Sequence, residues 1–334
     1  MGFAAMWIFI YHVRDEALLF FHVPGLQRVE IFFNNIGFCG VDIFLFLSGG
    51  GLYHAIKKHS LTDFFKRRYR RLIPPFVLVC VFKALVDKWS IMKFVKAVTG
   101  WSFITEYIHV PIWFIPAIAL VYLFFPLYYK AFEKYPNKYF FTGITFVMWY
   151  ALSYASLQII FNRNDAFIFV NRIPIFMAGV LFGWMTFTGK KIPEKPFRIV
   201  IFIVLIIGLQ LQFYCTFRKL KFLFPVSNDG LPAFLIGITM CFAAANFFKL
   251  LNKVTVIQKA FGFLGAMTLE FYAAQEIVLN IMMNVNANVL LEKHLYAFLV
   301  FLFSLGGGYL MHVLMTMFFN KMDGKPVFTD KKAK

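Results

Sequence analysis

The sequence predicts an all-α, polytopic integral membrane protein with about ten transmembrane helices, and three observations carry that prediction. Hydrophobic residues make up 60% and charged residues 15% of the 334 positions, against about 45–50% and about 25% in an ordinary soluble domain. A soluble fold of this size has too little interior to cover so much apolar surface, and a disordered chain needs the opposite composition. In a bilayer only helices and closed barrels satisfy every backbone group. The apolar runs here are continuous over about 17–24 residues, the length of a spanning helix, without the alternation of a barrel strand.

Ten apolar segments follow one another along the chain. The first, 1–14, is short; no Lys or Arg precedes it and no small-residue cleavage site follows, so it reads as neither a signal peptide nor a full-length span. Segment 36–56 carries Asp42 a turn or two from its start, then Ser48 and Gly49-Gly50-Gly51, glycines of the kind that let helices approach closely. Segment 72–88 is marginal, with Lys83 inside it, and 89–111 reads as a half-buried or re-entrant piece. Segment 112–130 contains Pro116 and Pro126, which a span tolerates where it borders protein or a cavity. Segments 140–160, 168–188, 197–217 and 231–250 follow, with Arg172 near the start of 168–188. Segment 262–285 holds Glu270, Gln275 and Glu276, and 295–319 is the last. The expected organisation is one membrane domain, 1–320, followed by a short basic cytoplasmic tail, 321–334.

The net charge is +18. On a membrane protein this reads first as topology, since Lys and Arg concentrate in cytoplasmic loops. The loops 57–71, 130–139, 189–198 and 249–261 with the tail 320–334 hold 22 Lys and Arg, and the opposite loops hold 11. That bias places both termini in the cytoplasm and the protein in the cytoplasmic membrane. The high Phe and Lys content points to a bacterial source. The four cysteines, Cys39, Cys80, Cys215 and Cys241, lack ligand spacing and fall mostly in apolar runs, so they read as free buried thiols. No nucleotide-binding, zinc-protease or serine-hydrolase motif occurs, and those functions have no support.

Ionisable residues within spans are expensive and point to function. With Met1 at the inner surface, His12 lies ~16 Å along a helix rising ~1.5 Å per residue, near mid-membrane, where an imidazole can take and return a proton. The other reading is a histidine near the outer end of a short helix, bonded to a neighbour. The run Lys66-Arg67-Arg68-Tyr69-Arg70-Arg71 reads either as a phosphate-binding cluster, because guanidinium forks hold phosphate bidentately, or as a topological loop touching anionic headgroups. Trp113 reads as a site residue or an interfacial belt residue. Glu270 and Glu276 are six apart and fall on different helix faces, so each needs a partner of its own or a neutral state.

Taken in order, these stretches resemble the integral membrane acyltransferase family called acyltransferase 3, the family of O-antigen and exopolysaccharide O-acetylases. The resemblance is carried by Gly2-Phe-Ala4-Ala5 with Tyr11-His12, and by Gly40-Val-Asp42-Ile-Phe44-Leu-Phe-Leu-Ser48-Gly49. It continues through Arg67-Arg68-Tyr-Arg70-Arg71-Leu-Ile-Pro74, Trp113 with Tyr122 and Pro126, Arg172 with Phe176 and Gly179, and Gly265 with Tyr272. It implies acyl transfer, commonly of acetyl, from acyl-CoA (acetyl-CoA) as co-substrate to a hydroxyl of a carbohydrate or lipid-linked glycan. No bound cofactor, metal or nucleic acid is implied, and membrane lipids are the remaining partner. His12 inherits the catalytic role, as general base or through an acyl-imidazole, with Asp42 orienting it or the acceptor. Arg67, Arg68, Arg70 and Arg71 are expected to hold the donor phosphates. Ser48, Trp113, Tyr122, Arg172, Tyr272, Gln275 and Glu276 are expected along the acceptor path. The sequence departs from the family pattern at Met1, where an arginine or lysine usually stands, and at Gln275, where a histidine usually stands. Two rival readings are a transporter or flippase of a lipid-linked or small polar substrate, and a family member that has lost catalysis.

Overall fold

The computed structural model describes residues 1–13, 23–105, 112–159, 165–190, 193–217, 227–251, 254–287 and 291–324. Among these every regular element is helical. The helices are α1 (Gly2–His12), α2 (Pro24–Asn35), α3 (Gly40–Lys58), α4 (Leu61–Val86), α5 (Ile91–Val98), α6 (Trp101–Thr105), α7 (Phe114–Lys134), α8 (Lys138–Ile159), α9 (Asp165–Val170), α10 (Ile173–Phe187), α11 (Glu194–Phe217), α12 (Ser227–Leu250), α13 (Thr255–Ala266), α14 (Thr268–Asn284) and α15 (Lys293–Met322). Among the described residues six helical stretches are long and apolar enough to cross a membrane: Gly37–Lys58, Phe114–Lys134, Ile168–Phe187, Glu194–Cys215, Gly230–Leu250 and Lys293–Met322. The protein is an all-α, multi-pass membrane protein.

All ten apolar segments contain helix, and the structure differs from the expected elements at four places. The stretch read as the cytoplasmic loop 57–71 is helical from Leu61 onward. Ser60 caps α4, its hydroxyl accepting the Asp63 N–H at 3.2 Å, and the Lys/Arg run that follows is made of good helix formers. The loop 14–35 contains α2, a polar-faced helix opened by Pro24 at its first turn, where proline loses no needed donor. The stretch 89–111 holds α5, capped by Ser90, and the short α6. The segment 262–285 is broken at Met267 into α13 and α14.

The centre of the bundle is the crossing of α3 with α10, the most extensive packing in the molecule. Small residues make it possible. A Cβ added at Gly49 would collide with the Phe176 carbonyl, and one at Gly179 with the Phe46 carbonyl, so the two backbones are in contact. Helix α12 packs on α3, α11 on α12, α14 on α15 and on α4, and α1 against α13 and the beginning of α3.

Polar contacts stitch one end of the bundle. Tyr53 and Lys57 both donate to Glu133, at 2.7 and 3.1 Å, and His54 meets Thr186 at 3.0 Å. Arg70 donates to Asp323 at 2.7 Å. Lys138 donates to the carbonyls of Phe132, Glu133 and Tyr135 at 2.6–2.8 Å, satisfying acceptors that the end of α7 leaves without helical partners. The ends of α3, α7, α10 and α15 and the starts of α4 and α8 therefore share one side, the side rich in Lys and Arg.

Candidate active site

A single cavity of about 1120 Å³ runs through the bundle. On α3 and its flanks it is lined at Phe38, Val41, Phe44, Ser48, Gly51, Ala55 and His59, steps of three and four that mark one helix face. At ~1.5 Å per residue this stripe is ~30 Å long, the thickness of a hydrocarbon core. The cavity thus follows α3 from the basic end to the opposite end.

At the basic end, Arg67, Arg68 and Arg71 enter the cavity with Phe64 and His59. With ~100° between successive helix positions, these three arginines fall within one arc about 100° wide and Arg70 falls outside it. None of the three pairs with a carboxylate among the described residues. Arg68 lies 5.8 Å from the Tyr122 ring centroid, with Ser48 beside Tyr122. Arg71 donates to the Ala266 carbonyl at 2.9 Å. The break at Met267 frees that carbonyl from the helix ladder, and the arginine satisfies it. Arg70 takes no part in the cavity. Its guanidinium bonds Asp323 and the Phe319 carbonyl, both at 2.7 Å, and stacks on the Phe319 ring at 4.2 Å. It ties α4 to the end of α15, so the structure places it apart from the other three arginines with which it was grouped.

At the other end stands His12. Helix α1 packs on the first turns of α3, with Gly37 against Trp7 and Tyr11 and Gly40 against Ala4 and Ile8. Tyr11 meets the Phe38 ring at 5.7 Å. His12 therefore sits level with the start of α3, at the end of the cavity opposite His59 rather than midway, while Arg68, beside Tyr122 and Ser48, reaches the middle of the stripe. Its Nδ1 is 3.0 Å from the Gln275 amide, and its ring lies 6.2 Å from that of Tyr272 in near-parallel orientation. Glu276, Trp113 and Arg172 line the same cavity.

Asp42, expected to orient His12, lies off the cavity lining. It is 1% exposed, and its Oδ2 is 3.6 Å from Nη1 of Arg172, itself 6% exposed. The same Nη1 donates to the Phe38 carbonyl at 3.3 Å. The structure thus gives Asp42 to Arg172. Glu270 also leaves the cavity, its Oε1 3.1 Å from His312 Nδ1. The cavity further includes His59, Lys83, Asn171 and Thr268, none proposed from sequence as a site residue. Lys83 was visible as a charge inside an apolar segment; the others carried no separate signal.

Within the described residues no group of three His, Cys, Asp or Glu side chains is arranged to hold a metal. The molecule is a multi-pass helical protein with a membrane-deep cavity, arginine-lined at one end and histidine-bearing at the other. A family model for an acyltransferase domain, that of acyltransferase 3, matches residues 2–313, and the chain belongs to this family of membrane acyltransferases. No curated protein and no solved structure matches it.

Proposed function

We propose that the protein moves an acyl group, acetyl in the simplest case, from acyl-CoA to a hydroxyl of a carbohydrate or lipid-linked glycan. The observation that carries this reading is the continuity of one cavity from Arg67, Arg68 and Arg71 to His12. Coenzyme A is a polyanion, and three guanidinium groups without carboxylate partners suit its phosphates. The Lys/Arg bias supports a cytoplasmic setting for their end, where acyl-CoA is found.

The donor's extended arm points up the cavity past Ser48 and Tyr122, carrying the thioester toward His12. The imidazole takes the acceptor hydroxyl's proton while that oxygen attacks the thioester carbon. The tetrahedral intermediate collapses with cleavage of the C–S bond, and the thiolate recovers the proton from the imidazolium. Gln275 meets Nδ1 through its amide nitrogen at 3.0 Å and so fixes the ring; turned over, the same amide accepts the Nδ1 proton through its oxygen and leaves Nε2 free to take the acceptor's proton.

The test is thiol release from acyl-CoA by purified protein in detergent with a carbohydrate acceptor. His12→Ala is expected to abolish release while retaining a folded protein. An Arg68→Ala/Arg71→Ala variant is expected to lose donor binding. Full turnover in the His12 variant would overturn the mechanism. Absence of acyl-CoA binding by the parent would overturn the function.

A further inference from the structure

The two ends of the cavity differ in charge balance, and the difference bears on the acceptor. At the basic end Arg67, Arg68 and Arg71 have no carboxylate partners among the described residues. At the opposite end the two Lys and Arg side chains that line the cavity among the described residues each face a carboxylate. Arg172 has Asp42 at 3.6 Å and Lys83 has Asp87 at 3.6 Å. Lys83 lies twelve residues beyond Arg71 on α4, ~18 Å along the helix.

The Asp42–Arg172 pair is unusual in its construction. Both Asp42 oxygens are buried without a hydrogen bond, and a Cβ at Gly237 would come within 2.5 Å of the Asp42 Cβ, so α12 is pressed against the aspartate. Burying a carboxylate with no hydrogen bond is costly, and breaking such a pair costs more than keeping it. What the aspartate supplies is a fixed counter-charge behind a cavity-facing guanidinium. One Arg172 N–H is taken by the Phe38 carbonyl at 3.3 Å, and an arginine has five.

We infer that Arg172, neutralised from behind by Asp42, recognises a neutral, hydroxyl-rich acceptor beside His12 and discriminates against anionic ones. A guanidinium with its charge already balanced still donates to hydroxyl and ring oxygens, but it offers an anion no net attraction. Asp42 is then a positioning residue that acts through Arg172. This rests on the acyl-transfer reading for the identity of the second substrate as acceptor.

The experiment compares a neutral gluco-oligosaccharide with an oligogalacturonate of equal length. Each is offered to the full chain with a fixed acyl-CoA, and each is also tested for binding without donor. The parent is expected to favour the neutral probe by at least about tenfold in kcat/KM and in binding. Asp42→Asn is expected to shrink that preference about tenfold with acyl-CoA affinity unchanged, because it exposes the arginine's charge. Arg172→Gln is expected to raise KM for the neutral probe more than it lowers kcat. Should Asp42→Asn fail to fold, Asp42→Asn/Arg172→Gln removes both charges together and is expected to fold with weak binding of both probes. Preference for the anionic probe, binding of neither, or an unchanged preference in a folded Asp42→Asn protein would overturn the inference. A parent that bound the neutral probe yet released no CoA would overturn the acyl-transfer reading and leave this one standing.

Discussion

His12 and Gln275 are 263 residues apart and meet at 3.0 Å. A general base must be neutral to accept a proton, so whatever faces Nδ1 sets the pH at which His12 works. A neutral amide adds no charge there. Gln275→Glu would place a carboxylate on the ring and favour the imidazolium. The rise of kcat/KM with pH is therefore expected to move to higher pH, while Gln275→Leu is expected to lower kcat about 10–100-fold without such a shift. A pH profile of thiol release separates the two, and an unmoved profile in a folded Gln275→Glu protein would count against His12 as the base. Arginine identity can be parsed in the same way. Arg70→Ala loses its contacts with Asp323 and Phe319, so its expected effect is a lower melting temperature, with acyl-CoA affinity within about threefold of the parent. Arg68→Ala is expected to do the reverse. At this scale the sequence named most of the polar residues that line the cavity, because buried charge and the ordered motifs marked them. It did not reveal pairings. Helix phase sets Arg70 apart from Arg71 once the run is known to be helical, but nothing links Asp42 to Arg172 rather than to His12.

The helices themselves carry a second set of consequences. Gly49, Gly50 and Gly51 look alike in the sequence, yet they do different things on α3. A methyl group at Gly49 meets the Phe176 carbonyl, whereas one at Gly51 meets nothing within 4 Å. Gly49→Ala and Gly179→Ala are expected to force α3 and α10 apart and cost about 1–3 kcal/mol each. Gly51→Ala is expected to stay within about 0.5 kcal/mol of the parent. Thermal unfolding in one detergent checks all three, and equal losses would mean that the crossing is not as close as described. The ten apolar segments were legible because hydrophobic continuity over a span's length is a strong signal. The missed features were of two kinds. Helix α2 and the first turns of α4 are polar enough to resemble loops, although Ser60 followed by Asp63 is a start signal a reader can find. The break at Met267 lies inside an unbroken apolar run, and only the contact between the freed Ala266 carbonyl and Arg71 explains why it is tolerated.

Across the whole molecule, the alternation of helix direction gathers the loops rich in Lys and Arg on one side, and α4 extends that side's charge into the cavity. The two substrates proposed for the cavity should therefore differ in their response to salt. Screening shortens from about 10 Å at 0.1 M to about 3 Å at 1 M ionic strength, and it weakens attraction between a polyanion and exposed guanidinium groups far more than it weakens hydrogen bonding to a neutral partner. Acyl-CoA affinity is expected to fall at least about tenfold between 50 mM and 500 mM salt, with KM for a neutral oligosaccharide changing less than about twofold. Removing Arg68 and Arg71 together should flatten the first dependence, since the charges that salt screens are then gone. Donor binding that ignored salt in the parent would place the phosphates elsewhere. Equal salt sensitivity for both substrates would mean that the far end of the cavity is not balanced in charge, and the pairing of Asp42 with Arg172 would then have no bearing on which acceptor enters.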